Sequence, residues 1–233
     1  MRIAVMQPYL FAYIGYYQLI SAVDLYVSDD SVQYIRKGWI NRNRLLSEGE
    51  ARTFTFSVQK DSHTKKINER VFCRELHTRE KSKFLKTLNC YHKAPQFEAV
   101  FDLVRRIMAF EDTNVGRFII NSIRMVCRYL DITTRFEIVS QLNYKSNLKK
   151  QERTIDICRK LSALEYVNPI GGTEIYSKEA FTKEGMTLHF LKTKEIIYPQ
   201  FRHAFVPNLS ILDVLMFNPK EKVREFLTQY DFV

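Results

Sequence analysis

The apolar positions fall into short blocks whose period changes along the chain. Residues 2–6 (RIAVM) form a compact apolar run that reads as a first β-strand, and Gln7-Pro8 follows it with the chemistry of a strand-to-helix turn. Tyr13, Tyr16, Tyr17 and Ile20 then recur at i, i+3, i+4 and i+7, one face of a helix. Residues 24–28 (DLYVS) read as the next strand, so the chain up to residue 28 predicts a β-α-β unit. Residues 29–59 alternate in the manner of a hairpin or meander, with Gly38 near a bend. From about 79 to 131 the period is helical. Val115, Phe118, Ser122, Val126 and Leu130 share one face there, with Arg117, Asn121, Arg124 and Arg128 opposite. Strands at 135–140, 165–168 and 186–191, a helix at 149–161 and one or two C-terminal helices complete the pattern. This alternation predicts an α/β fold: a Rossmann-like, largely parallel sheet with flanking helices, a β-hairpin or meander insertion and a helical middle segment.

Composition changes that picture little. The 233 residues suit one α/β domain over 1–233, with 79–131 as a candidate helical subdomain. Only 7 glycines and 6 prolines leave no sign of a long linker. Charge adds more. The net charge of +10 favours anionic partners such as nucleotides, phosphorylated sugars, RNA or an acidic membrane surface, without choosing among them. Arg117, Arg124 and Arg128, with Arg105, Arg106, Lys149, Lys150 and Arg153, form either a polyanion footprint or, as spacing favours, solvated helix faces. No RNA-binding motif is visible and nothing points to DNA. The four cysteines (Cys73, Cys90, Cys127, Cys158) contain no C-x-x-C and form no metal site with the scattered histidines. They read as reduced thiols of a cytoplasmic protein, with no signal peptide and no membrane-spanning run.

Four stretches occur in order: residues 7–20 (QPYLFAYIGYYQLI), 29–45 (DDSVQYIRKGWINRNRL), 165–176 (EYVNPIGGTEIY), and 198–201 (YPQF) with 205–218 (FVPNLSILDVLMFN). Together they closely resemble the bacterial WbqC-like protein family, from residue 1 almost to the end. Ala12 departs from the family's pattern, which carries proline there, and the expected consequence is a slightly altered turn. The resemblance implies a cytosolic protein, often encoded among genes for O-antigen or other surface polysaccharides. It implies action on a nucleotide-linked amino sugar, with transfer of an amino-acid-derived acyl group such as glycyl to the sugar amine.

The candidate residues follow from the chemistry of these stretches. In 7–17, a strand-end turn presents backbone N–H groups and a helix dipole; Gln7, Tyr9, Tyr13, Gly15 and Tyr16 are substrate-binding candidates there. Gly15 would allow close backbone approach and the tyrosines would supply stacking planes and hydroxyls, although their spacing fits helix core equally well. Tyr13-Ile14-Gly15-Tyr16 has the outline of the H-x-G-H loop of class I nucleotidyltransferases, but tyrosine cannot act as imidazolium does, since its pKa lies near ~10. If 39–45 is a strand, Arg42 and Arg44 share one side roughly 6–7 Å apart, a bracket for a diphosphate, with Trp39, Asn41 and Asn43 on the other. Trp39, the sole tryptophan, reads as core. Gln33 and Asn43 join the binding candidates. Asp29 and Asp30 suit a base for the sugar amine or an Mg²⁺ ligand, and an exposed hairpin with internal ion pairs explains them equally well.

In 168–176, Gly171-Gly172 makes a tight turn after a strand, and Glu174 and Tyr176 lie near a sheet edge, Glu174 as a further candidate base. His203 is a candidate base near neutral pH, and Gln200 beside it a binding residue. Ser210 and Asp213 have capping-box spacing, with Asp213 alternatively a buried carboxylate facing ligand beside Asn208. No P-loop and no G-x-G-x-x-G occurs, so an aminoacyl-tRNA or an acyl thioester on a carrier is the expected donor class. Two other function classes remain open here: an ATP-using nucleotidyltransferase, and a non-catalytic protein that binds a nucleotide sugar or a partner.

Overall fold

A computed structural model of the chain describes residues 1–142, 144, 147–202 and 204–233. Six strands form one sheet: β1 (Arg2–Met6), β2 (Leu25–Ser28), β5 (Arg135–Ile138), β6 (Glu165–Pro169), β7 (Thr187–Thr193) and β8 (Tyr230–Phe232). Their order is β5-β2-β1-β6-β7-β8. The first five are parallel, and β8 closes the edge antiparallel to β7. Without the inserted hairpin this is the doubly wound order, and strand order reverses between β1 and β6. Helix α1 (Ile14–Ser21) crosses from β1 to β2, α5 (Lys150–Lys160) from β5 to β6, and α6 (Lys178–Lys183) from β6 to β7.

Both faces of the sheet are covered, so the central strands are apolar on both sides. In β1, Ala4 joins the core beneath α1, whereas Ile3 and Val5 join a second core with Ile155, Cys158 and Phe181 of α5 and α6. The period-2 alternation of strand side chains produces this division. Between β2 and β5 the chain inserts the hairpin β3 (Arg42–Ser47) and β4 (Glu50–Thr55), then α2 (Arg74–Thr87), α3 (Phe97–Met108) and α4 (Val115–Tyr129). Val115, Phe118, Ser122, Val126 and Leu130 are buried as their spacing requires, and Arg117, Arg124 and Arg128 are exposed. Helices α7 (Ile211–Phe217) and α8 (Lys220–Phe226) precede β8.

Within the insertion Gly38 lies in a bend as expected, and one expectation, that of Trp39, changes. The hairpin turns at Glu48-Gly49, whose φ values of 54° and 78° give the left-handed pair that a tight two-residue turn needs. Gly38 lies in a separate bend upstream. Trp39 precedes the strand and is 45% exposed, not core. It lies beside the guanidiniums of Arg42 and Arg44, whose Cζ atoms are 5.4 and 5.5 Å from its ring centroid.

Candidate functional site

The loop after β1 is fastened from three sides. Leu10 N donates to the Ile40 carbonyl at 3.0 Å, and Asn43 Nδ2 donates to the carbonyls of Leu10 and Phe11 at 3.2 and 2.8 Å. Ser210 Oγ donates to the Phe11 carbonyl at 2.8 Å, and Ile211 N to the Ala12 carbonyl at 2.9 Å. Phe11 holds φ at 45°, a left-handed conformation that a bulky residue adopts only where its surroundings enforce it. Both Leu10 and Phe11 are fully buried. The residues on either side of them, Tyr9 and Tyr13, are therefore presented from a fixed backbone at the carboxyl edge of the sheet.

Three clefts run along this edge. The first, about 520 Å³, opens at the switch point between β1 and β6. It is lined by Gln7 and Tyr9, by Asp29 at the end of β2, by Lys150, Arg153 and Thr154 of α5, and by Asn168, Gly171, Gly172 and Tyr176 after β6. The second, about 360 Å³, is lined by Tyr9, Ala12, Tyr13, Trp39, Asn43, Arg44 and Asn208. The third, about 570 Å³, lies beyond Tyr13 and Asn208, between the end of β7 and the segment around Phe205–Leu209. Tyr9 is a wall of the first two; Tyr13 and Asn208 are walls of the second and third.

In the first cleft Asp29 and Arg153 form a buried pair. Both guanidinium Nη atoms donate to the Asp29 carboxylate, and Arg153 Nη2 also donates to Ser31 Oγ at 2.7 Å. Ser31 N and Oγ donate to Asp29 Oδ1 at 3.3 and 3.1 Å. A carboxylate offers about four acceptor positions. Oδ1 is occupied, while Oδ2 receives only Arg153 among the described residues. Asn168 Nδ2 donates to Tyr166 Oη at 2.7 Å. The amide needs Gly172 beside it, because any Cβ there would overlap the Asn168 side chain, whereas a Cβ at Gly171 meets nothing within 4 Å. Thr154 Oγ1 and Tyr176 Oη are 3.2 Å apart.

Beside the second cleft Arg42 is held by its own loop, Nε donating to the Gly38 carbonyl at 2.9 Å and Nη2 to that of Lys37. Arg44 Nη2 donates to the Asn208 carbonyl at 2.9 Å, while its buried Nε has no partner among the described residues. An unmet buried donor costs about 1–3 kcal/mol.

The predicted residues therefore divide. Gln7, Tyr9, Asp29, Gly171, Gly172 and Tyr176 meet in the first cleft, and Tyr9, Tyr13, Asn43, Arg44 and Asn208 in the second. Arg42 reaches this group only through Trp39. Gly15 serves packing: a Cβ there would lie 2.7 Å from Thr193 Oγ1 and overlap the Tyr13 ring, which already covers the start of α1. Tyr16 is buried, donates to the Gln7 carbonyl at 2.8 Å and bonds Tyr26; desolvation pushes its hydroxyl far above the ordinary tyrosine value. Asp30 faces away from the clefts, with Ser140 N and Oγ on its oxygens at 3.1 and 2.6 Å, and burial raises its carboxyl.

Gln33 is exposed and donates to the His63 carbonyl at 2.8 Å. Glu174 is exposed on the turn whose neighbours Gly172 and Ile175 line the first cleft. His203 lies outside the described residues. Gln200 and Asp213 belong to a core network instead. Asp213 accepts from Tyr91 at 2.7 Å, Tyr198 at 2.6 Å and Gln200 at 2.7 Å. Burial raises its carboxyl. Ser210 does cap α7, accepting from Leu212 N, but Asp213 does not complete a capping box, because Ser210 N donates to the Arg44 carbonyl.

Arg153, Thr154 and Asn168 line the first cleft and are not among the residues the sequence pointed to. The spacing of Arg153 in the sequence fits a polyanion footprint or, as favoured, a solvated helix face. The signal for Arg153 was the acidic pair at the end of β2, which needs a cation if buried. For Asn168 it was a polar residue ending an otherwise apolar strand.

Among the described residues no group of three or more His, Cys, Asp and Glu is placed to hold a metal ion. No helix among them is long and apolar enough to cross a membrane. The four cysteines are free, and burial pushes the Cys90 thiol up to about 11 and that of Cys158 to about 12.

A largely parallel, doubly wound sheet with flanking helices and a cleft at its switch point defines a Rossmann-like α/β protein. More narrowly, the chain belongs to the WbqC-like protein family, which it matches over residues 7–225. It is 27% identical over 229 residues to an uncharacterized protein of Mycobacterium tuberculosis, Rv1507c, with 97% of each chain covered. No solved structure matches it at a significant level.

Proposed function

We propose that this chain modifies a nucleotide-linked amino sugar for O-antigen or other surface polysaccharide biosynthesis, by acyl or aminoacyl transfer (glycyl, for instance) to the sugar amine. The observation that carries this reading is that two clefts of different lining share Tyr9 as a wall. One holds a buried Asp29–Arg153 pair, the other an exposed indole with the Arg44 guanidinium, and Arg42 flanks that indole. A diphosphate-linked ligand has an amine for the first and a planar base with negative charge for the second.

In this scheme Arg153 aims Asp29, and Asp29 Oδ2 accepts a hydrogen bond from the sugar amine. The amine nitrogen attacks the donor carbonyl, forming the C–N bond. The bond from that carbonyl to the donor's oxygen or sulfur breaks, and the amine proton leaves with the departing group or passes to a base. Asn168, Thr154 and Tyr176 hold sugar hydroxyls, and Arg44 meets the diphosphate. The donor is an aminoacyl-tRNA or an acyl thioester on a carrier, classes whose carbonyl is already activated. Two positions that the H-x-G-H loop would use for ATP are held by Tyr13 and the buried Tyr16, which counts against adenylyl transfer.

A melting-temperature screen tests this against its competitors. The ligands are UDP- and dTDP-linked amino sugars, ATP with Mg²⁺, acyl-CoA and bulk tRNA. A ligand at about 100 times its dissociation constant stabilises by roughly 2.7 kcal/mol. Stabilisation by a nucleotide amino sugar, lost in the folded Arg42→Ala/Arg44→Ala variant, is the expected result. Stabilisation by ATP alone would make the chain a nucleotidyltransferase, and binding without turnover on any donor would make it a non-catalytic binder.

A further inference from the structure

The two clefts that meet at Tyr9 differ in what they offer. We infer that they sort the two ends of one ligand: the base of a nucleoside diphosphate stacks in the Trp39 cleft, and the sugar lies in the switch-point cleft. The diphosphate then crosses Tyr9. This rests on the nucleotide-sugar reading above and adds the direction in which the substrate lies.

The usual doubly wound arrangement would do otherwise. It brings a diphosphate onto the first helix through a glycine-rich turn directly after β1. Here that turn begins Gln7-Pro8-Tyr9, and the first glycine, Gly15, is already covered by the Tyr13 ring and by Thr193. The cradle is closed, so the nucleotide needs another platform.

Trp39 supplies one. It is the only tryptophan, and it is large, apolar and 45% exposed inside a cleft. Flanking guanidiniums are fixed by backbone carbonyls, Arg42 by Gly38 and Arg44 by Asn208. Bases stack on aromatic rings and on guanidinium planes, and neither surface asks for a particular base. The exposed Asn208 side chain lies at the same wall, carrying both a donor and an acceptor for a base edge.

The switch-point cleft is built differently. Tyr176 packs at a steep angle against Tyr166 and Phe181, with centroids 5.6 and 6.2 Å apart, and brings a hydroxyl to the cleft wall. Thr154 Oγ1 lies 3.2 Å from that hydroxyl, and Asn168 and Gln7 add amides. Closely spaced groups that both donate and accept suit a ring of sugar hydroxyls.

Trp39 also reports on its own cleft, because selectively excited tryptophan emission comes from this residue alone. UDP and glucosamine 1-phosphate serve as the two half-ligands, with affinities from calorimetry. UDP is expected to change the emission, saturating at its calorimetric dissociation constant, whereas glucosamine 1-phosphate binds without changing it. Trp39→Ala should weaken UDP roughly 5- to 150-fold, the span of one base–aromatic stack. Glucosamine 1-phosphate should then bind as before, and Asn168→Ala or Thr154→Val should weaken it while sparing UDP. If UDP binds with unchanged emission, or the Asn168 variant loses UDP while Trp39→Ala keeps it, the direction is reversed and the inference fails. If UDP, dTDP and their amino sugars all fail to bind, the nucleotide-sugar reading falls with it.

Discussion

Asp29 and Asp213 are both buried carboxylates at the ends of long side-chain networks, yet they are built for different purposes. Asp29 is paired with a cation, Arg153, and lines the switch-point cleft. Asp213 is held by three neutral donors, Tyr91, Tyr198 and Gln200, and lines none of the three clefts. The neutral network ties the hairpin, the segment before α7 and α7 itself together, since Tyr91 Oη also accepts from Leu46 N at 2.7 Å. Desolvation without a cation raises the Asp213 carboxyl. A buried acid with a charged partner thus lines a cleft at a strand end, and one among neutral donors is enclosed in the core.

Removing one half of the charged pair is the most severe way to break this comparison. Arg153→Met leaves Asp29 buried and uncompensated, with an expected loss of about 3–5 kcal/mol in urea unfolding. Adding Asp29→Asn should restore most of it, and a single variant of near wild-type stability would show that the pair is screened by water.

Asp213→Asn should cost about 1–3 kcal/mol, because it removes acceptor capacity from a satisfied network. It should also change the pH dependence. The folded-state carboxyl lies above its ordinary 3.8, so the native state holds a proton that the unfolded chain releases. That contribution is present below pH 3.8 and is lost as pH rises toward the folded value. Melting temperatures of wild type and variant, compared from pH 3.8 upward, should therefore converge if this network governs the slope.

His77 offers a smaller, opposite effect. It is buried against Phe72, with ring centroids 4.6 Å apart, and neither ring nitrogen has a partner among the described residues. Desolvation, reinforced by Lys81 and opposed by Glu80, lowers its pKa to about 4. Its neutral form is the folded one, so stability should fall as pH drops from 6.5 toward 4. His77→Phe should remove that acid limb and keep the aromatic packing, read from melting curves over the same range. Gly171→Ala should be nearly silent, within about 0.5 kcal/mol, since its Cβ meets nothing.

The strand and helix periods made most of the sheet legible: residues 2–6 were expected as a strand and are β1, and the face of α4 is buried as read. The site was harder, because local patterns do not say which polar residues are brought together. Adjacent Asp29 and Asp30 look equivalent in sequence, but the turn that follows β2 sends one to Arg153 and the other to Ser140. Gln200 and Asp213 looked like ligand groups because they are polar in an apolar neighbourhood. Only the positions of Tyr91 and Tyr198 reveal that they satisfy each other. Trp39 was read as core because tryptophan commonly is, and nothing local indicated the guanidiniums beside it.

The most direct measurement is a crystal structure of the chain with a UDP-linked amino sugar. The account predicts density crossing Tyr9, with the uracil against Trp39 and the sugar amine within hydrogen-bond reach of Asp29 Oδ2. Density confined to the third cleft by Thr193 and Phe205, or none at saturating ligand, would contradict it.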